Sequence, residues 1–188
     1  MKRFIILLLL MTTLRLNAQN QEKFIPDENN FAVFASFGQL IGSSNDEKEN
    51  ISSIQITPNF QIGKHLAFGL TTGVGWYDIA LFPVGPDIKL ILPLREYGSF
   101  YINAAVGHSF PLEDVKLEYA EVLETKGGRF ACTHLGYIFP MKGNCKLFVA
   151  LGYQYQSSSH VQVHWVYKEL ERKIKYNRFS VRIGLKLF

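Results

Sequence analysis

Hydrophobic and polar residues alternate along this chain with a period of two. In residues 54–62, isoleucines and a phenylalanine alternate with Gln, Thr and Asn, and residues 65–76 and 179–187 repeat the rhythm. Such a period gives a β-strand one apolar face and one polar or small face. The pattern predicts an all-β chain with eight strands, near residues 31–42, 51–63, 65–78, 83–94, 98–112, 126–140, 145–168 and 173–188.

The connections between these strands differ in length in an ordered way. Short links, such as Gly63-Lys64 and Met141 to Asn144, follow the second, fourth and sixth strands, and longer segments follow the others. Short periplasmic turns and longer outer loops are typical of outer-membrane barrels. We therefore predict an eight-stranded antiparallel up-and-down transmembrane β-barrel. Pro83, Pro86 and Pro93 are expected at the ends of a shortened fourth strand, and the third strand is expected to lead into a long Pro-rich loop.

The N-terminal residues predict export. Lys2 and Arg3 precede a short apolar run over residues 4–11, a pattern typical of a secretory signal peptide and too short for a membrane-spanning helix. We assign residues 1–18 to the signal peptide, 19–30 to an N-terminal periplasmic segment and 31–188 to the barrel. The expected location is the outer membrane of a Gram-negative bacterium.

Removal of the signal peptide changes the charge balance. Its three basic residues leave 17 of the 20 Lys and Arg residues against 16 Asp and Glu residues. A nucleic-acid-binding surface needs an unbalanced cluster of cations, so no nucleic-acid partner is expected. Cys132 and Cys145 should lie roughly 20–25 Å apart on paired strands, too far for a disulfide.

The two faces of the strands suggest different roles. The polar face is expected to fill the barrel interior with a hydrogen-bonded and ion-paired network, which disfavours an open pore. Its members are Ser53, Gln55, Thr57, Asn59, Gln61, Asp87, Lys89, Asn103, Lys146, Gln154 and Arg182. Aromatic residues near the strand ends are expected to mark the two membrane interfaces. The outer set is Trp76, Tyr77, Phe82, Phe110, Tyr153 and Tyr155, and the inner set is Phe60, Tyr97, Phe100, Tyr137, Phe139 and Phe148. The facing of the first and sixth strands stays open.

The signal peptide, the eight alternating segments and the terminal RIGLKLF sequence together resemble the small outer-membrane β-barrel families, including OmpX-like proteins and the barrel half of OmpA-like proteins. The resemblance covers about Phe31 to Phe188. It implies outer-membrane lipid as a partner, and the terminal aromatic residue resembles the signal read by the barrel-assembly machinery during biogenesis.

Catalytic and metal-binding arrangements are weakly represented. Lipid A deacylases of this shape use a His and a Ser, but the neighbouring His108 and Ser109 must point to opposite faces of a strand. Only Ser158 and His160 can share a face. No cofactor or metal site is expected, and an outer-membrane lipid-modifying enzyme, such as a lipid A deacylase or acyltransferase, and a soluble, secreted lipocalin-like carrier remain alternatives.

Two charged extensions follow the fifth and seventh strands. Residues 111–127 carry a net charge of −3, and residues 157–178 carry +3. Two interpretations stay open: the extensions are flexible, solvated loops, or strands five to eight continue beyond the membrane as one protruding sheet. An exposed edge there could bind an extracellular protein partner through an added strand; its candidate residues are Val161, Val163, Trp165 and Tyr167. The expected function is non-catalytic and exerted through the external surface, by adhesion, partner binding or envelope integrity.

Overall fold

The computed structural model describes residues 30–42, 50–94, 97–114, 122–162 and 170–188. These residues form nine strands: β1 (Phe31–Ile41), β2 (Asn50–Ile62), β3 (Leu66–Trp76), β4 (Ala80–Pro93), β5 (Ser99–Pro111), β6 (Val122–Lys126), β7 (Arg129–Ile138), β8 (Cys145–Gln162) and β9 (Leu170–Leu187). The predicted signal peptide and almost all of the 19–30 segment lie outside the described residues. Within those ranges, no helix is long and apolar enough to cross a membrane.

Eight of the nine strands, all except β6, close into a ring. Around the ring each strand pairs antiparallel with the next, with β5 against β7, and β1 closes the ring against β9, from Val33 opposite Leu187 to Ile41 opposite Phe179. Closure leaves no edge strand within the ring, so every strand of the ring has a hydrogen-bonded neighbour on both sides. The prediction of an eight-stranded antiparallel up-and-down barrel is confirmed.

The two faces of the ring have opposite polarity. Large apolar side chains such as Ile56, Leu90, Ile102 and Leu151 point outward and are 44–54% exposed. Polar and small side chains point into the lumen. The pairing also determines the facing of the strands that the sequence left open, because even-numbered residues point inward in both β1 and β7.

Three short connections, at residues 63–65, 94–98 and 139–144, lie at one end of the barrel, and we call it the turn end; a fourth, residues 77–79, lies at the opposite end. Each of the three connections at the turn end contains a glycine with positive φ, namely Gly63, Gly98 and Gly143. Residues with a Cβ rarely adopt this conformation, so glycine allows the chain to reverse within a few residues. The opposite end is the loop end.

The fourth strand is longer than the sequence predicted. β4 contains Pro83, Pro86 and Pro93, and only residues 77–79 separate it from β3. The expectations of a shortened fourth strand and a long Pro-rich loop are therefore wrong. The ladder to β3 has no pair at Phe82 and Pro83, and the ladder to β5 has none at Gly85 and Pro86. These local interruptions accommodate prolines, which cannot donate to a ladder.

A three-stranded extension rises from the loop end. The end of β8 pairs with β6 on one side and with the start of β9 on the other. β6 continues the line of β7 after a break at Gly127 and Gly128. A Cβ on Gly127 would overlap the backbone of Ser109, so the break depends on glycine. β5 ends at Pro111, and the expectation that the fifth strand joins the extension is wrong for the described residues.

Candidate functional site

An ion pair lies at the centre of the lumen. Lys89 Nζ contacts Asp87 Oδ1, and both side chains are almost completely buried. Asn103 Nδ2 donates to Asp87 Oδ2 at 2.8 Å, and Lys89 Nζ donates to Asn59 Oδ1 at 3.3 Å. Lys89 Nζ also lies 4.8 Å from the ring centroid of Phe34. Burial of charge is costly unless it is paired and hydrogen-bonded, and these contacts supply both.

A second network surrounds Arg182. Its Nε donates to His134 Nε2 and to Ser180 Oγ, each at 3.1 Å, and its Nη2 donates to Gln154 Oε1 at 2.8 Å. Gln154 Nε2 in turn donates to the Tyr77 hydroxyl at 2.8 Å. The guanidinium therefore links the neighbouring strands β7, β8 and β9 through neutral acceptors, and Gln154 continues the network to Tyr77.

Both ends of the lumen are closed by packed side chains. Near the turn end, the Phe34, Tyr101 and Phe148 rings lie with centroids 5.4–5.9 Å apart. Near the loop end, the Tyr77 and Tyr176 rings lie 4.7 Å apart within a buried apolar cluster. A cavity of about 20 Å³ lies between these layers, beside Lys89 and Arg182. A cavity of this volume can hold a water molecule but no larger solute.

The predicted lumen residues are confirmed as inward-facing. All eleven occupy inward positions, and ten of them are buried; Gln61, near the turn end, is half-buried. Two predicted interface aromatics are wrong: Tyr77 and Phe148 are 2% and 3% exposed and fill the lumen. The sequence also gave no sign of His134, because the parity of its strand was ambiguous. Its inward facing follows only from pairing with β5 and β8.

The structure places no complete catalytic or metal-binding arrangement among the described residues. His108 is exposed and Ser109 is buried, on opposite faces of β5. Ser158 and His160 share a buried face, as expected, but no hydrogen bond between them is present. No group of three or more His, Cys, Asp or Glu side chains in these ranges can hold a metal ion. Cys132 and Cys145 are free thiols.

The strand with Val161, which the sequence predicted to form the exposed edge of the extension, is not an edge strand in the structure. Val161 pairs with Glu124 of β6 and with Glu171 of β9, so it lies in the middle strand of the extension. The expectation of an exposed edge at Val161 is therefore wrong, because strands flank it on both sides. Val163, Trp165 and Tyr167 lie outside the described residues. The outer strands of the extension are β6 and β9.

His160 is an unusual group in this extension. It points to the same side as Ser158, opposite Thr125 of β6 and Arg172 of β9. Its Nε2 is buried and has no hydrogen-bond partner within the described residues. Desolvation, and then the charge of Arg172, lower the pKa of His160 below its ordinary value of 6.5. The folded extension therefore favours the neutral imidazole.

This shift predicts that the extension loses stability in acid. Below pH 6.5, His160 is protonated in the unfolded extension but still neutral in the folded one. The stability of the extension therefore falls as the pH falls from 6.5 toward the lowered pKa of His160. Amide exchange at pH 7.5 and 5.5 should show lost protection in β6 and in the outer part of β8. The His160→Gln variant should show no such change beyond the intrinsic pH effect. Equal loss in both proteins would show that His160 does not cause it.

Comparison with known proteins adds structural neighbours only. No protein-family model matches the sequence, and no curated relative matches it. The fold is similar to that of the outer membrane protein OprG from Pseudomonas aeruginosa, with a TM-score of 0.65 and 8% identity over 84% of this chain and 94% of that chain.

Two further solved structures share the architecture. Neisserial surface protein A has a TM-score of 0.59 and 13% identity, over 85% of this chain and 97% of its own. Outer membrane protein AlkL, determined in DMPC lipid bilayers, has a TM-score of 0.57 and 10% identity, over 89% and 93%. At these identities the likeness concerns the fold alone. The chain has the eight-stranded antiparallel barrel fold found in these small outer-membrane proteins.

Proposed function

We propose that this chain is an integral outer-membrane β-barrel protein without catalytic activity, which acts through its external surface. One observation carries the proposal: a closed ring has apolar side chains outside and a packed, ion-paired lumen inside. Residues such as Phe68, Ile88 and Ile183 are 43–49% exposed on this outer face. In water such a surface would be unfavourable, whereas lipid acyl chains cover it without cost.

The apolar outer face and the polar lumen argue against a soluble carrier. A soluble barrel that binds an apolar ligand needs an apolar cavity and a polar exterior. Here the exterior is apolar, and the lumen is filled by groups such as Lys89, Asn103 and Arg182. A lipid-modifying enzyme also has less support, because a nucleophile must lie within hydrogen-bond reach of its base, and the structure shows no such pair for Ser109 or Ser158.

The proposal also covers how the protein reaches the outer membrane and which barrel families it resembles. The N-terminal pattern supports export by a signal peptide, and the C-terminal Phe188 supports recognition by the barrel-assembly machinery. The resemblance to OmpX-like and OmpA-barrel-like families is part of this proposal. The turn end would then face the periplasm, and the loop end would face outward.

The extension on the loop end is the proposed acting surface. It presents β6, the outer part of β8 with Val161, and the start of β9, and it leads into the segment with Val163, Trp165 and Tyr167. Adhesion, binding of an extracellular protein and envelope integrity are the roles that fit an ordered projection of this kind. Outer-membrane lipid is the partner of the apolar band below it.

Cell fractionation tests the proposed location. The mature protein should be recovered with outer membranes, should require detergent for extraction and should migrate differently on gels before and after heating. Recovery in the soluble periplasm would contradict the proposal. Mass spectrometry of lipid A from cells with and without the gene then tests the enzymatic alternative, which predicts an altered acyl pattern.

The packed lumen predicts a closed barrel. In planar bilayers the protein should produce no steady conductance above the baseline, since the aromatic layer and the apolar cluster fill the lumen at both ends. A variant with both Tyr77→Ala and Tyr176→Ala should also stay closed, because the Arg182 network and the Phe34, Tyr101 and Phe148 rings still fill the lumen below the removed pair. Steady, large conductance of the wild-type protein would contradict a closed lumen.

A further inference from the structure

The outward faces of β8 and β9 change character near the loop end. Their cross-strand pairs, in order from the turn end, are Leu147–Leu185, Val149–Ile183, Leu151–Val181, Tyr153–Phe179, Tyr155–Asn177, Ser157–Lys175 and Ser159–Lys173. The Tyr153 hydroxyl donates to Asn177 Oδ1 at 2.8 Å, at the level where the apolar pairs end. The surface therefore passes from apolar to basic within two pairs.

The height of this change matches the thickness of a membrane. From Cys145 to Tyr155 the strand runs about 33 Å at ~3.3 Å per residue. A tilt of about 35–45°, usual in such barrels, reduces this to roughly 25 Å, the height of the apolar band of outer-membrane barrels. The pair formed by Ser157 and Lys175 therefore lies at the level of the lipid headgroups.

Cations lie on both sides of the two serines at this level. Ser157 Oγ accepts a hydrogen bond from the backbone N–H of Arg129 on β7, at 2.8 Å, and Ser157 pairs with Lys175 on β9. One row further out, Ser159 lies between Lys126 of β6 and Lys173 of β9. The four cations are exposed. Because strands lie about 4.8 Å apart, the two cations of a row are about 10 Å apart at their Cα atoms. We call these side chains the cationic rows.

Lys126 also has an acidic neighbour. Glu124 Oε2 lies 2.9 Å from Lys126 Nζ, and both side chains are more than half exposed. A surface ion pair of this exposure is weak and is screened by salt. An experiment on the cationic rows can substitute Arg129 and Lys175 of the inner row and Lys173 of the outer row, and leave the Lys126–Glu124 pair intact.

We propose that the cationic rows bind the phosphate groups of outer-leaflet lipid headgroups. This inference rests on the proposed function, since it requires the apolar band to lie in the membrane. A phosphorylated lipid fits both parts of the surface at once: its phosphates meet Arg129, Lys173 and Lys175, and its acyl chains pack on the apolar pairs below. Free phosphate could use only the first of these parts.

Native mass spectrometry of the refolded protein in detergent micelles tests this inference. The probes are bis-phosphorylated lipid A and the dephosphorylated lipid with the same acyl chains. The test variant combines Arg129→Thr, Lys173→Thr and Lys175→Thr. The matched control combines Lys64→Thr and Lys142→Thr, two exposed lysines in the turns at the opposite end.

Each cation removed should weaken binding of the phosphorylated lipid about fivefold, so that the triple variant binds on the order of a hundredfold more weakly. The control variant should bind as the wild type does. The dephosphorylated lipid should bind weakly to all three proteins, and millimolar inorganic phosphate should not displace the phosphorylated lipid. Equal binding by the wild type and the triple variant would overturn the inference, and so would full displacement by inorganic phosphate, which would indicate a simple anion site.

Gel migration before and after heating separates the two possible failures. If the wild type folds in micelles but the triple variant binds lipid equally well, the lipid inference fails and the proposed membrane location stands. If the wild type does not fold with lipid or detergent, both fail. A triple variant that does not fold is replaced by Lys175→Thr alone, which should bind about fivefold more weakly.

Discussion

Replacement of Asp87 by Asn is expected to lower the free energy of unfolding by about 3–5 kcal/mol. The substitution keeps the shape and the acceptor for Asn103, but it removes the only carboxylate that the described lumen places against Lys89. Lys89 would then be a buried cation with Asn59 and the Phe34 ring as its described neighbours. Urea unfolding of the barrel in lipid vesicles measures the effect.

Two further variants separate the loss of the ion pair from the loss of a carboxylate. Asp114→Asn changes an exposed residue and should alter stability by less than about 0.5 kcal/mol. The double variant Asp87→Asn with Lys89→Met should recover much of the lost stability, because no unpaired charge remains. If Asp87→Asn is as stable as the wild type, the ion pair does not hold the lumen together.

Addition of one methyl group at Gly136 should cost about 1–3 kcal/mol of the free energy of unfolding. A Cβ at this inward position would overlap the Tyr101 ring directly opposite on β5. The ring has little room to move, since its centroid lies 5.8 Å from that of Phe34 and 5.9 Å from that of Phe148. Urea unfolding of Gly136→Ala checks the prediction.

The Tyr101→Ala background provides the control for this steric argument. With the ring absent, Gly136→Ala should cost little, so the coupling between the two positions should approach the whole penalty of the single glycine variant. A penalty of the same size in both backgrounds would assign the effect to the backbone rather than to the ring.

The sequence predicted the barrel because alternation and turn residues are local signals. The period of two gave the strands and the facing of Gln55, Asp87 and Arg182, and the glycines of the short turns marked where the chain reverses. Both signals depend on neighbouring residues along the chain, and closure of the ring follows once eight strands need partners.

The errors have different causes. Tyr77 and Phe148 are aromatic residues near strand ends, and their aromatic character was given more weight than alternation, which gives Phe148 the same inward parity as Lys146 and Gln154. The position of Val161 between two strands follows from β6, which the sequence did not separate from β7. Proline was given too much weight in β4, where the interrupted ladders accommodate it.

The lipid accessibility of the outward face tests the central claim most directly. In a chain with Cys132→Ser and Cys145→Ser, single spin-labelled cysteines are placed at Ile56, Ile102 and Leu151, with Lys64 at the turn end as the aqueous reference. In vesicles, the three band positions should collide with dissolved oxygen far more than with a water-soluble nickel chelate, and position 64 should show the reverse. Nickel collisions at the band positions equal to those at position 64 would contradict a barrel embedded in the membrane.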